Sequence, residues 1–429
     1  MSIPIAIEAV PCTVESPQDV GPLKQRICDE LGRLSRQYPH SRLVLVQLQD
    51  DWFSNLCAKA AAEMGTLVVQ SHEDARAEQG YGDLFAVDGL GGGRAHAQIE
   101  YYRETALVSS IISEALVRTD NFNADCTTLS QESAGADVFT QSLSDVRDEA
   151  DVLSLYFQRY YLSSMLLLSV CCVLLVLAFL LYDEAELRLM LVAYGIVIVS
   201  YAALYRMVLL GGFHERYIQY RVLAETLRVQ SHLASLRIAG NVADNFPWTQ
   251  RGDVAWARAA VGSLLSCAEE TPICTEDEVK AEWIDGQVAY HRRAYERENE
   301  KAQVNDRIVV ATLALTVVVY VLTCVLEAFF PQVMPIEVLS VSICSWLKIS
   351  LGCISAVALF VSGYYGSLSI ERKAHDHRRM SMLFERAAEV YEREPETRRE
   401  LFKRLAREEI IENGTWMSYC NENRPTFNL

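Results

Sequence analysis

Four long apolar segments constrain the fold of this chain more than any other feature of its sequence. They cover about residues 160–182, 189–211, 308–328 and 346–366, and the first contains no charged residue. Each holds roughly 20 residues, which at 1.5 Å per helical residue spans about 30 Å of hydrocarbon. Helices buried in soluble proteins rarely stay apolar on every face for that length. The sequence therefore predicts an α-helical integral membrane protein with four transmembrane helices.

The distribution of Lys and Arg predicts the orientation of these helices. Residues 183–188, between the first two segments, carry three acidic residues and one Arg, and residues 329–344, between the last two, carry neither Lys nor Arg. The other side of the membrane receives the basic clusters, such as Arg292, Arg293 and Arg297. Because cytoplasmic loops are enriched in Lys and Arg, we expect both termini and the central region to be cytoplasmic. No basic leader precedes the first segment, so we expect no cleavage or export of the first 150 residues.

Charge and cysteine usage argue against several functional classes. The formal net charge of the 429 residues is −17, and no basic stripe with interleaved aromatic residues is present, so nucleic acid is not an expected partner. The twelve Cys are scattered, without CxxC or Cys/His ligand spacing, which predicts reduced thiols and no metal site. No catalytic constellation is evident, so we expect the protein not to be an enzyme and to need no cofactor.

Residues 1–120 are predicted to form a small α/β domain. Strand-like and helical patterns alternate along residues 3–10, 23–37, 42–48, 52–64 and 66–70. This alternation predicts a parallel, Rossmann-like sheet. Residues 121–139 are rich in Asn, Thr, Ser and Gly, and we interpret them as a linker that ends the domain.

A glycine-rich run in this domain is a candidate ligand site. It consists of Gly89, Gly91, Gly92 and Gly93, followed by Arg94, and it precedes a predicted amphipathic helix. Glycines before a helix N-terminus allow backbone N–H groups to hold a phosphate, so the run is a candidate site for a nucleotide-derived signal. Its spacing matches neither GxGxxG nor a P-loop, and a plain flexible loop is the alternative interpretation.

The rest of the chain repeats one plan. Residues 140–240 and residues 276–395 each contain a charged helix, two apolar segments joined by a short turn, and a second charged helix. Such tandem helix–hairpin–helix units indicate duplication, and the even number of spans in each gives both copies the same orientation. Residues 241–275 form a predicted cytoplasmic connector, and residues 396–429 a C-terminal cytoplasmic helix and tail.

These helical units carry a family resemblance. HERYIQYRVLAETLRVQSHLASLRIAG after the first hairpin, WIDGQVAYH before the second and the C-terminal ENGTWMSYCNENRP resemble the SLATT family over about residues 140–429. SLATT proteins are membrane effector modules that accompany SMODS nucleotidyltransferases and SLOG sensor domains in bacterial conflict systems. The segment IEYYRETALVSSII is similar to part of a SLOG-type domain, although an intact Gly-Gly-Thr phosphate loop is absent. The resemblance implies an antiphage effector in the bacterial inner (plasma) membrane that senses a nucleotide-derived signal and then perturbs the membrane.

Three charged residues within or beside the apolar segments are candidate functional residues. Arg206 lies near the cytoplasmic end of the second segment, where it either snorkels to the headgroups or acts at membrane depth. Glu327 and Lys348 lie near the outer ends of the third and fourth segments. They are candidates for an interfacial ion pair, for simple exposure or for the lining of an outer vestibule.

Thr312, Thr316 and Thr323 form a polar stripe on the third segment. Such a stripe is typical either of a helix–helix contact or of a pore lining. Because two spans per hairpin are too few to enclose water within one chain, a pore requires a homo-oligomer, and we predict one.

Three functions are compatible with the sequence. The first is a ligand-controlled membrane effector that acts by membrane perturbation or pore formation, with the lipid bilayer, further copies of the chain and a nucleotide second messenger as partners. The second is a constitutive ion channel or transporter. The third is a membrane-anchored binding scaffold without a pore.

Overall fold

A computed structural model of the protein describes residues 3–9, 20–47, 52–70, 85–90, 94–98, 106–130, 142–250, 252–267, 272–338, 341–367 and 370–422. The described residues are mostly helical. They divide into two compact units, each built from segments that are distant in sequence. The first unit comprises Met1–Leu155, Tyr217–Trp283 and Glu389–Glu422, and the second comprises Tyr156–Arg216 and Ile284–Ala388.

The first unit contains a small sheet with two helices packed against it. Its elements in chain order are β1 (Ile5–Ala9), α1 (Gly21–Gln37), β2 (Leu43–Gln47), α2 (Trp52–Glu63), β3 (Leu67–Gln70), β4 (Phe85–Leu90) and β5 (Arg94–Gln98). The strand order is β3-β2-β1-β4-β5, parallel except for the antiparallel pair β4–β5. Ile7, Leu45 and Phe53 are buried in the core between sheet and helices. The strands are only four to six residues long, so they do not by themselves establish the expected Rossmann-like domain.

Helix α3 (Ala106–Ser130) corrects one prediction. Residues 121–130, interpreted above as the start of a linker, continue this helix, and residues 131–139 lie outside the described residues. The polar side chains that suggested a linker make structural hydrogen bonds instead. Asn123 is fully buried and bonds both the N–H and the C=O of Ile3, at 2.7 and 3.0 Å, and the Thr127 hydroxyl donates to the Asn123 carbonyl at 2.8 Å.

The first helical repeat consists of three helices. They are α4 (Leu143–Asp183), α5 (Leu189–Gly211) and α6 (Phe213–Ser235). Helix α4 is continuous from its charged N-terminal part through the whole first apolar segment. Gly212 separates α5 from α6 with a φ of 57°, a left-handed conformation that glycine adopts without steric cost.

The second repeat follows a connector that contains α7 (Ala255–Cys267). Its elements are α8 (Glu276–Val279), a π-helical segment (Lys280–Asp285), α9 (Gly286–Phe329), the strands β6 (Glu337–Val338) and β7 (Val341–Ser342), α10 (Ile343–Ser367) and α11 (Ile370–Arg393). The last helix is α12 (Arg398–Glu422). Thr275 begins α8 with a reciprocal capping box to Glu278, which satisfies N–H groups that a helix start leaves unpaired.

Four helical stretches among the described residues are long and apolar enough to cross a membrane. They are Leu143–Asp183, Leu189–Ser235, Glu276–Phe329 and Ile343–Tyr364. Each contains all or most of one apolar segment of the sequence. The prediction of four helices of membrane-spanning length is therefore confirmed, and the chain is compatible with a multi-pass membrane protein.

In the second unit, α4 packs against both α5 and α10. A buried cluster joins Leu168 and Cys172 of α4 to Tyr201 of α5, with Phe360 and Tyr364 of α10 packed against it. Toward the other end of these helices, Gly352 of α10 approaches Leu180 of α4 so closely that a Cβ at Gly352 would lie 2.6 Å from the leucine side chain. Helix α9 packs against α10.

Candidate functional site

A row of five charged side chains crosses the first unit. It consists of Asp151 on α4, Arg221, Glu225 and Arg228 on α6, and Glu409 on α12, and we call it the charge ladder. The three α6 members share one face because residues three and four apart are neighbours on a helix surface. Alternating charge lets each member bind the next, so the ladder joins three helices.

The contacts along the ladder are direct. Arg221 Nη1 donates to Asp151 Oδ1 at 2.7 Å. Glu225 forms ion pairs with both Arg221 and Arg228. Arg228 Nη2 then donates to Glu409 Oε1 at 3.4 Å. The ladder therefore ties α4 to α6 at one end and α6 to α12 at the other.

Glu409 is the buried end of the ladder. Its side chain is 5% exposed, and its Oε2 accepts a hydrogen bond from Trp283 Nε1 at 3.2 Å. Burial disfavours the carboxylate and raises the pKa of Glu409 to about 7, while the nearby Arg228 opposes this shift. The charge of the ladder therefore changes near neutral pH.

Trp283 also belongs to a column of stacked rings. Its indole stacks with His232 at 5.1 Å and with Phe402 at 5.9 Å between ring centroids, and Phe402 meets the edge of Tyr391. We call these four rings the aromatic column. Burial, with a smaller contribution from Arg228, lowers the pKa of His232 to about 3, so this ring stays neutral under ordinary conditions.

The backbone at Trp283 is unusual. This residue lies in the π-helical segment Lys280–Asp285 between α8 and α9. Single π-helical turns within α-helices are rare and occur often at functional sites. In this segment Trp283 is fully buried. The sequence indicated Trp283 through the family resemblance of WIDGQVAYH and as a large apolar side chain on a charged helix, but it gave no signal for Glu409 as its partner.

The two described ends of the glycine-rich run, Gly89 and Arg94, lie in paired strands of the sheet. Gly89 pairs with Ala95, and Leu90 pairs with Arg94, across the antiparallel strands β4 and β5. A strand, β5, therefore follows the glycines directly, and the helix expected after them corresponds in part to α3. Residues 99–105, where that helix was expected to begin, lie outside the described residues. Gly91, Gly92 and Gly93 lie outside the described residues.

The three charged residues within or beside the apolar segments occupy separate positions. Arg206 is exposed on α5, about one and a half turns before that helix ends. Lys348 donates to Glu184 at 3.0 Å, so its ion-pair partner is not Glu327, which is exposed near the end of α9. The reason is that α10 lies against α4 at this end, as the contact between Gly352 and Leu180 shows.

The threonine stripe bonds within its own helix. The hydroxyls of Thr312, Thr316 and Thr323 donate at 2.8 Å to carbonyls one turn earlier, those of Ile308, Thr312 and Val319. All three threonines are half-buried, whereas most positions between them are exposed and aliphatic. Because α9 packs against α10, this pattern favours a helix–helix contact over a pore lining.

Replacing the three threonines together with valine tests this interpretation. We expect a loss of less than about 1 kcal/mol in stability and no change in any ion flux, since each hydroxyl bonds to a carbonyl that keeps its helical N–H partner. The measurements are thermal unfolding in detergent and flux through reconstituted vesicles. A changed ion flux with normal folding would place the hydroxyls on a water-filled path and contradict the interpretation.

The charge ladder and the aromatic column meet at Trp283, whose ring belongs to the column and whose N–H binds Glu409. In the part of the chain that the structure describes, no group of three or more His, Cys, Asp or Glu side chains is placed to hold a metal ion. Comparison of the chain with family models, with curated proteins and with solved structures finds no match.

Proposed function

We propose that the chain is a ligand-controlled membrane effector of a bacterial antiphage system, located in the inner membrane with both termini in the cytoplasm. The observation that supports this best is the charge ladder. It joins α4, which leads into the first membrane hairpin, to α6, which leaves it. The same ladder continues to Glu409 of the C-terminal helix. A cytoplasmic ion-pair network on both helices of a hairpin is a suitable means of holding that hairpin at rest.

The sheet of the first unit offers a place for the controlling ligand. In open α/β sheets, ligands bind beyond the carboxyl ends of parallel strands. Strand β4 is parallel to β1 and extends three residues past their last paired position, Ala9 with Val87, so Gly89 lies at that edge. We propose this edge, in a SLOG-like, Rossmann-like domain, as the site for a nucleotide second messenger.

Release requires the ligand to favour a state in which the ladder is broken. A ligand shifts such an equilibrium only by the difference between its affinities for the two states. Because the ladder holds ion pairs that are partly or fully buried, separating Arg228 from Glu409 is costly and keeps the resting state dominant. Membrane perturbation or pore formation then proceeds in a homo-oligomer, since one chain has too few spans to enclose water.

A scaffold without a pore is the second candidate. It is favoured by α9, where exposed aliphatic residues such as Val310, Leu313 and Val317 surround the threonine stripe and suit lipid contact. A constitutive channel or transporter has less support, because the threonine hydroxyls are already bonded within the helix.

Leak measurements on the full-length chain distinguish these functions. We expect Arg228→Met, which breaks the ladder, to release entrapped dye from reconstituted vesicles faster than the wild-type protein does. Arg404→Met is the matched control, because the ion pair of Arg404 with Glu400 is exposed on both sides. Wild-type rates for both variants, at equal reconstitution, would contradict control of the membrane helices by the ladder. If both the wild-type protein and Arg228→Met are strictly monomeric in nanodiscs, a pore is excluded and the scaffold remains as the function.

A further inference from the structure

Helices α9 and α11 of the second unit bring two histidine rings into direct contact. The Nδ1 atoms of His291 and His377 lie 3.0 Å apart, and the ring centroids lie 5.2 Å apart. His291 is 8% exposed, and His377 is half-buried. Phe384 stacks on His291 at 5.8 Å, and Tyr290 meets the edges of both imidazoles. The pair is therefore a packed, partly dehydrated contact between two helices rather than two solvated side chains.

The chemistry of this contact depends on the number of protons it holds. A hydrogen bond between two Nδ1 atoms needs one N–H and one lone pair. With both rings neutral, one ring donates and the other accepts. One added proton makes the donor a cation and keeps the bond, which is then charge-assisted. A second added proton removes the accepting lone pair and places two cations in contact.

At His377, the nearby charges do not compensate for burial. Burial lowers the pKa of His377, the charges of Glu298 and Asp376 act against this shift, and those of Arg297 and Lys373 add to it. These two acids and two bases lie on α9 and α11 themselves. The nearby acidic and basic groups therefore offset each other, and dehydration of the rings dominates.

We propose that His291 and His377 form one proton-binding site, and that the α9–α11 contact opens when both rings are protonated. The direction with pH follows from linkage. Because burial lowers the pKa of His377, an open form in which this ring is hydrated binds more protons than the closed form as the pH falls below the ordinary histidine value. The contact is thus strongest above that value and weakens with acid.

The proton-binding site does not require the effector function. If the chain perturbs the membrane as proposed above, protons that enter through the membrane reach this site and open the contact further. The experiment below measures the α9–α11 contact itself and requires no leak, so the two proposals fail separately.

Hydrogen–deuterium exchange of the full-length protein in nanodiscs tests the site. After correction for the intrinsic pH dependence of exchange, we expect faster exchange at about pH 5.5 than at about pH 7.5 in peptides from residues 286–300 and 372–386. The corrected exchange rate is expected to rise by up to about tenfold for each pH unit of acidification and for each proton that the contact binds on opening. If exchange in these peptides does not rise with acid more than exchange elsewhere in the chain, the proposal is overturned.

Three variants sharpen the result. His377→Asn keeps an amide near the Nδ1 position that can bond to His291 but cannot be protonated, so it is expected to lose the acid response. His375→Asn, at an exposed site on the same helix, is expected to retain it. His377→Arg places a permanent cation against His291 and is expected to exchange fast at both pH values. An acid response in His377→Asn equal to that of the wild-type protein would overturn the shared site.

Discussion

Replacing Arg228 with methionine is expected to reduce the stability of the first unit by about 3 kcal/mol at about pH 8. The reason is that Glu409, only 5% exposed, loses its guanidinium partner, so the folded protein must either hold an unpaired carboxylate in its core or bind a proton that the unfolded chain does not hold at this pH. Methionine keeps most of the aliphatic volume of arginine. The loss in free energy of unfolding therefore reflects removal of the positive charge rather than formation of a cavity. Denaturant unfolding in detergent, followed by tryptophan fluorescence, measures the shift.

Arg404→Met is the matched control for this prediction too. Arg404 and Glu400 form an exposed ion pair one turn apart on the same helix, α12. Pairs of this kind contribute about 0.5 kcal/mol or less. A loss as large as that of Arg228→Met would show that the effect comes from removing any arginine and not from the buried ladder.

The effect of Arg228→Met should depend on pH in a defined direction. The pKa of Glu409 is raised from 4.5 to about 7 in the folded protein, so the folded state binds this proton more tightly than the unfolded state. The penalty for a buried carboxylate is therefore absent below about pH 4.5 and complete above about pH 7. Removing Arg228 enlarges that penalty, so the loss is expected to shrink markedly at about pH 5. An equal loss at both pH values would contradict the electrostatic explanation.

The membrane helices were predictable because a single local property determines them. An apolar run of roughly 20 residues predicts a helix of membrane-spanning length without any knowledge of contacts with the rest of the chain. The continuity of helix α4 could also be predicted, because the charged helical pattern continues into the apolar segment without a helix-breaking residue between them. The prediction of a linker at residues 121–130 was wrong because the structure there depends on a contact with a distant part of the chain. Asn123 has a polar side chain that suits a loop, but its partner is Ile3, 120 residues away.

The candidate sites could not be predicted because each depends on pairs of distant residues. Arg228 and Glu409 are separated by 181 residues, and His291 and His377 by 86. Charged and histidine side chains on amphipathic helices are usually solvated, and local sequence does not reveal which of them a second helix will cover. The spacing of Arg221, Glu225 and Arg228 on one face was present in the sequence, but it predicts surface pairs as readily as a buried ladder.

The largest expected packing effect is at Trp283. This residue is fully buried, stacks with His232 and Phe402, and donates its N–H to Glu409. Trp283→Ala is expected to cost about 3–5 kcal/mol, because it removes a large buried ring and leaves a cavity that a packed core fills only in part. The same denaturant unfolding measures it, with circular dichroism as the probe since a tryptophan is lost.

Trp283→Phe separates the two roles of the indole. Phenylalanine retains a ring to stack with His232 and Phe402 but has no N–H for Glu409, so the expected loss is about 1–2 kcal/mol. The hydrogen bond from Trp283 lowers the pKa of Glu409, and its removal is therefore expected to raise that pKa further. A cavity alone would give a loss of stability that does not depend on pH. For Trp283→Phe the loss should be greater above about pH 7 than at about pH 5.

Trp416→Ala, at a half-buried ring in edge contact with Tyr217, controls for tryptophan removal and should cost less stability than Trp283→Ala. If the Trp283→Ala and Trp283→Phe losses are equal and independent of pH, Trp283 does not join the aromatic column to the charge ladder.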